Sequence, residues 1–183
     1  MDARIETERL ELRYPRKTDA QRIYDCMQDS EVPLNLGRAP YPYQMEDASN
    51  WLTSIPDLIA AGDEFVFLLD HPKYGVIGCI GLTRKAETVF EIGYWVGKRW
   101  WGQGYATEAS RALLAWGREA QGATGFVSGY IADNPASGHV LTKVGFKTVG
   151  NIQQYVTGRA CEVDAVRMVL DASAEIALQV PAH

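Results

Sequence analysis

The stretch Trp95-Val-Gly-Lys-Arg-Trp-Trp-Gly-Gln-Gly-Tyr-Ala-Thr-Glu-Ala109 joins two kinds of periodicity through a basic, glycine-rich loop. The residues before it, Thr88–Val96, read as a strand. After it, Ala106, Ala109, Leu113 and Trp116 recur at the spacing of one helix face, over about residues 105–121, and Gly122 closes the run. The N–H groups of a helix's first turn have no acceptor within the helix and sit at the positive end of its dipole. Glycines let that backbone approach a ligand closely. Strand, basic glycine loop and helix together form a cradle for a pyrophosphate. The commoner phosphate loops do not fit. There is no Gly-x4-Gly-Lys-Ser/Thr, and in a Gly-x-Gly-x-x-Gly reading the third glycine position is Thr107. Taken alone, the loop also fits a glycine-rich turn that binds nothing.

Outward from the loop, period-2 segments predict strands at Leu10–Tyr14, Phe65–Leu69, Val76–Leu82, Phe126–Ile131, Phe146–Val149 and Glu162–Leu170. The Phe65–Val96 part reads as an antiparallel meander. Thr18-Asp-Ala-Gln21 matches a capping box and opens a first helix. A second helix begins near Met45 and is expected to kink or split at Pro56. A third short one covers Pro135–Lys143. Two strands separated by the 105–121 helix are expected to lie parallel through a right-handed crossover. The fold class is therefore α+β, a mixed sheet of six or seven strands flanked by helices. One domain over residues 1–171 is expected, with a tail at 172–183.

Composition narrows the function classes. The 183 residues are 46% hydrophobic and 22% charged, which suits a single globular domain. Lys+Arg number 18 and Asp+Glu 23, a net charge of -5, which is the wrong sign for a protein living on nucleic acid. Cys26, Cys79 and Cys161 form no pair by spacing and read as free thiols of a reducing compartment; His71, His139 and His183 have no ligand spacing, so no metal is expected. No apolar leader is seen at the N-terminus, and no run is long enough to span a membrane. The expected location is the cytoplasm, with no membrane partner and a homodimer left open.

Three features extend the loop. Arg99-x-x-Gly102-x-Gly104 follows Phe90-Glu-Ile-Gly-Tyr-Trp-Val, Asp133-Asn-Pro-Ala-Ser137 sits where the next parallel strand ends, and Thr7-Glu-Arg-Leu-Glu-Leu-Arg13 opens the chain. This set resembles the GNAT superfamily of acyl-CoA-dependent N-acyltransferases, and within it the RimJ/RimL branch of ribosomal-protein N-terminal acetyltransferases. The resemblance spans about residues 5–170. It implies the acyl-CoA N-acyltransferase fold, whose sheet splays between the strands ending near Val96 and Ala132, and acetyl-CoA as co-substrate. The pantetheine arm would complete the ladder in that gap. By similarity, Trp95 and Val96 offer backbone contacts to pantetheine and thioester. Arg99, Trp101, Gly102, Gln103, Gly104, Tyr105 and Ala106 line the pyrophosphate, Asn134 and Ser137 meet the pantetheine, and Lys143 reaches the adenosine phosphate end.

The implied reaction is attack of an amine on a thioester. Only the neutral amine is a nucleophile, so a general base is useful, and the oxyanion needs a donor. Glu91 is the candidate base, because period 2 puts it on the Trp95 face with an apolar neighbour; Asp133 and a water chain are the alternatives. Where many relatives carry a tyrosine acid, seven residues after the asparagine, this chain has Leu141. Ser137 is the hydroxyl nearest in the motif, a candidate to meet the leaving thiolate. The acceptor is a primary amine, either a protein N-terminus or a small molecule, with the Pro33–Tyr43 loop and the segment around Tyr155 as walls. The competing reading is a GNAT-fold sensor or interaction module that binds acyl-CoA without turnover.

Overall fold

Alternating hydrophobicity becomes one open sheet. The computed structural model describes residues 3–172 and Gln179. Its strands are β1 (Arg4–Glu6), β2 (Glu11–Arg13), β3 (Glu64–His71), β4 (Gly75–Ala86), β5 (Val89–Val96), β6 (Gly125–Ile131), β7 (Lys147–Val156) and β8 (Cys161–Leu170). They lie in the order β1-β2-β3-β4-β5-β6-β8-β7. Four helices flank them: α1 (Ala20–Met27), α2 (Met45–Ala61), α3 (Tyr105–Gln121) and α4 (Pro135–Lys143). The sheet has eight strands rather than six or seven. The added one, Arg-Ile-Glu, is too short to show alternation and exists by pairing with β2. The tail expected at 172–183 lies almost wholly outside the described residues.

Each face of the sheet carries its own core. On β3, Phe65, Phe67 and Leu69 join Phe90 and Ile92 of β5 under α3, packed on Leu113 and Leu114. Val66 and Leu68 point the other way, to Ile23 and Met27 of α1 and Leu52 and Ile55 of α2. Burying each such side chain contributes roughly 1.5–3 kcal/mol. That burial carries α2 through Pro56 as one helix. Pro56 itself lies on the solvent side.

The entry to α1 differs from the Thr18–Gln21 box. Lys17–Asp19 forms one 3-10 turn, and the Asp19 carboxylate accepts the Arg16 N–H at 2.7 Å. Gln21 instead donates to Asp25. The cause is the buried Arg13, which draws Asp19 inward through bonds of 2.9 and 2.8 Å and holds Asp70 of β3 at 2.6 Å. Burial pushes the Asp19 carboxyl up, but the bonds from Arg13 and Arg16 outweigh it and leave it below the usual carboxylate range. Its stabilisation is then complete above the unfolded-state pKa and disappears as pH falls through the lower folded value. Asp19→Asn is expected to cost about 3–5 kcal/mol, the scale for breaking a buried ion pair. It should also flatten the acid limb of the stability–pH curve; denaturant melts across the acid range check both.

Candidate active site

β5 and β6 are parallel neighbours for only three residue pairs, Val89–Gly125, Phe90–Phe126 and Glu91–Val127. Beyond Glu91 they diverge. The Gly97 N–H bonds back to Ile77 of β4 at 2.9 Å, so by alternation the backbone groups of Val96, Tyr94 and Ile92 turn toward the gap. The Ser128 hydroxyl, across the gap on β6, donates to the Ile92 carbonyl at 2.9 Å, as this orientation requires. Trp95 is the partner of Cys79 on β4, so its backbone faces away. Of the two residues expected to meet pantetheine through the backbone, geometry allows this for Val96, with Tyr94 as its companion. Trp95 offers its indole instead, on the wall of the cavity. The Val96 carbonyl meanwhile accepts the Trp101 indole N–H at 2.6 Å.

The loop after β5 is shaped by two glycines in left-handed conformation, Gly102 at φ 73° and Gly104 at φ 84°, where a side chain would be strained. Trp100 is buried beneath it, while Arg99, Trp101, Gly102, Gln103 and Gly104 are exposed around the first turn of α3. Ala106 is half-buried in that turn. Of Tyr105 only the backbone is open to a ligand, since its ring is buried between His71 and the Arg9 guanidinium. Lys143 is exposed at the end of α4, with its carbonyl 3.5 Å from Arg111.

Sequence reasoning missed the brace of this cradle. Glu108, in the first turn of α3, accepts the Thr7 hydroxyl at 2.6 Å, the Arg9 N–H at 2.8 Å and the Arg9 guanidinium at 2.7 Å. Arg9 also donates to the Gln103 carbonyl at 3.0 Å. The two ends of the quoted motifs, Thr7–Arg9 and Glu108, are thus one contact, a signal that was present as co-occurrence. Burial pushes the Glu108 carboxyl up, and these donors bring it below its ordinary value. Its contribution is therefore present near neutrality and lost as pH falls through the folded value. Glu108→Ala should lower the melting temperature at neutral pH and narrow its difference from wild type as pH falls below the ordinary glutamate range; thermal melts at several pH values test this.

A cavity of about 300 Å³ fills the gap and extends beneath the Asn35–Ala39 segment. Glu91, Tyr94, Trp95, Asn134 and Ser137 line it. Glu91 is 2.9 Å from the Lys85 ammonium and 3.0 Å from Arg167. Both cations are nearly buried, so the immediate neighbours of Glu91 are charges rather than the apolar wall expected from the strand pattern. These two residues were also missed; Arg167 is a cation among the apolar residues of Ala165–Leu170, and Lys85 follows Arg84 at the end of β4 with no local signal of its own. Asp133 is bound bidentately by Arg159 at 2.6 and 3.0 Å, those hydrogen bonds hold its carboxyl below the usual range, and, unlike Glu91, it is not among the residues that line the cavity. Arg159 also donates to the Leu34 carbonyl and to Asn35, tying the β7–β8 turn to the cavity rim. From that turn region Gln154 lines the cavity, while Tyr155 is exposed. Leu141 is fully buried. Burial pushes the Cys26 thiol up to about 11 and raises Cys79 further, so neither is a ready nucleophile.

Residues 9–147 match the acetyltransferase (GNAT) domain family. The chain belongs to the GNAT acetyltransferase family. Within it the protein is RimJ/RimL-like, an acetyl-CoA-dependent N-acetyltransferase by class. Its relatives include the uncharacterized N-acetyltransferase YoaA of Bacillus subtilis, 29% identical over 83% of this chain and 87% of YoaA. A second is the ribosomal protein uS5-alanine N-acetyltransferase of Escherichia coli, 26% identical over 84% of this chain and 82% of that enzyme. Among solved structures, Mycobacterium smegmatis RimJ, in complex with CoA-disulfide, superposes with a TM-score of 0.80 at 18% identity, covering 92% of this chain and 86% of that one. The splayed sheet is the GNAT sheet, and no helix among the described residues is long and apolar enough to cross a membrane.

Proposed function

We propose that this GNAT protein carries the acetyl group of acetyl-CoA to a primary amine by direct attack within a ternary complex, and that the amine is a protein N-terminal α-amine or a small amine of similar reach. The observation that carries this reading is the gap between β5 and β6. It runs from the glycine loop, read here as a pyrophosphate cradle, to the cavity lined by Glu91. Diphosphate sits on the amides of Gly102–Ala106 with Arg99 beside it, and pantetheine runs along Tyr94 and Val96 toward Asn134 and Ser137. The uS5-alanine enzyme among the relatives supports an N-terminal acceptor. So does chemistry: an α-amine, pKa about 8, is far more often neutral at physiological pH than a lysine amine near 10.4.

Glu91 is the proposed base. Lys85 and Arg167 fix its carboxylate at the edge of the cavity, and the incoming amine passes its proton there as the C–N bond forms. Backbone N–H groups on the gap side of β5 supply the oxyanion donors. Glu91→Gln is expected to lower kcat by roughly 10²–10⁴-fold, the scale of acid–base catalysis, with CoA affinity nearly unchanged. The loss should shrink as pH rises and the amine is neutral without help. Stopped kinetics and calorimetry on the same variant separate the two effects; near-wild-type kcat moves the role to a water chain.

Because the gap presents thioester and amine together, none of Cys26, Cys79 and Cys161 is expected to form an acyl-enzyme, and initial-rate plots should intersect, as sequential transfer requires. Parallel plots, or an acetylated enzyme in mass spectra, contradict this. Calorimetry should show CoA binding; binding without thiol release across a panel of amines and peptide N-termini would favour the sensor instead.

A further inference from the structure

β5 presents Glu91 to the cavity on one side and Tyr94 on the other. The Tyr94 hydroxyl crosses the gap to α4, where it lies 2.9 Å from the Ser137 hydroxyl and 2.9 Å from the Ser137 carbonyl. Both residues line the cavity. Two hydroxyl protons and this geometry allow two arrangements. In one, Tyr94 donates to the Ser137 carbonyl and Ser137 donates to Tyr94. In the other, Tyr94 donates to the Ser137 oxygen, and the Ser137 O–H is released to point into the cavity. They differ only by rotation about two C–O bonds; no heavy atom moves. One helical turn further along α4 stands Leu141, fully buried and without a proton to offer.

We infer that Tyr94 is a positioning residue for the leaving group: it directs the Ser137 hydroxyl at the departing CoA sulfur. The inference rests on the acetyl-transfer reading above. As the amine's C–N bond forms, the C–S bond breaks and its electron pair stays on sulfur. The amine proton goes to Glu91. Ser137 donates a hydrogen bond to the thiolate while accepting one from Tyr94, and each bond strengthens the other. No net proton leaves either hydroxyl. Burial pushes the Tyr94 phenol up to about 12, with the Ser137 bond acting against this, so it stays protonated and able to donate at neutral pH.

The test is the ionisation of bound CoA, followed by carbon-13 NMR of CoA labelled beside the sulfur, in wild type, Tyr94→Phe, Ser137→Ala and Ser137→Thr. The thiol should ionise at lower pH in the wild-type complex than free. Tyr94→Phe should move it up by about one pKa unit, a tenfold change in ionisation. In turnover, Tyr94→Phe should lower kcat about tenfold with KM for acetyl-CoA within about twofold. The double variant Tyr94→Phe/Ser137→Ala should be no slower than Ser137→Ala alone, as for residues acting in series. Ser137→Thr, which keeps the hydroxyl, should retain the wild-type titration. An unchanged thiol titration in Tyr94→Phe, additive losses in the double variant, or a KM that rises as kcat falls overturns the inference. So does a Ser137→Ala complex that titrates like wild type, should Tyr94→Phe fail to fold. A wild-type protein that binds no CoA sinks the acetyl-transfer reading itself, and this with it.

Discussion

Everything at the site depends on β5 and β6 ceasing to pair after Glu91. A parallel ladder broken in mid-sheet leaves strand N–H and C=O groups facing each other across a gap, which is costly unless they find partners. Here the partners come from side chains: Ser128 caps the Ile92 carbonyl from one bank, and the Trp101 indole caps that of Val96 from the other. Tyr94 and Ser137 bridge the gap farther along. Side chains thus cap two of the edge carbonyls, and a ligand with amide groups of its own can pair with the rest of the edge as a strand would.

Charge is distributed to suit that entry. The chain is acidic overall, yet Arg99 is exposed in the loop that opens α3, beside the first-turn amides; Lys98 in the same loop is held by Asp29 and Glu31. At the inner end, one carboxylate stands between two nearly buried cations. An unpaired glutamate there would be expensive to desolvate. Lys85 and Arg167 offset that cost, and they also fix which way the carboxylate points.

The β5–loop–α3 unit was legible because it is contiguous: the helix runs over residues 105–121, as its stripe and terminal glycine indicate, and the parallel crossover follows from chirality. What was not legible depended on partners distant in sequence. β1 has no pattern of its own and exists only against β2. β7 continues through Gly150-Asn151, which reads locally as a turn, because β8 pairs it on to Val156. The Thr18 box failed because Arg13 competes for Asp19. Glu91 was visible as a polar residue in an apolar strand, but its cations belong to β4 and β8, and no local rule brings them together. The Trp95 backbone was misassigned for a simpler reason: the face of a strand can be read from alternation, but which edge its amides take depends on the register with β4.

The tie through Arg159 bears on the order in which this enzyme is assembled. It joins the turn after β7 to the Leu34 carbonyl, a separation of 125 residues, and the Thr157 N–H reaches Gly37 across a similar distance. Loop closure of that length is paid late, after local structure has formed. The strand, loop and helix of the cofactor cradle are contiguous, and the residues that brace them, Thr7 and Arg9, have already left the ribosome when α3 emerges. On the ribosome the glycine loop and α3 can therefore take shape while the cavity still lacks its last strands, so the proposed place for the donor precedes the proposed place for the acceptor.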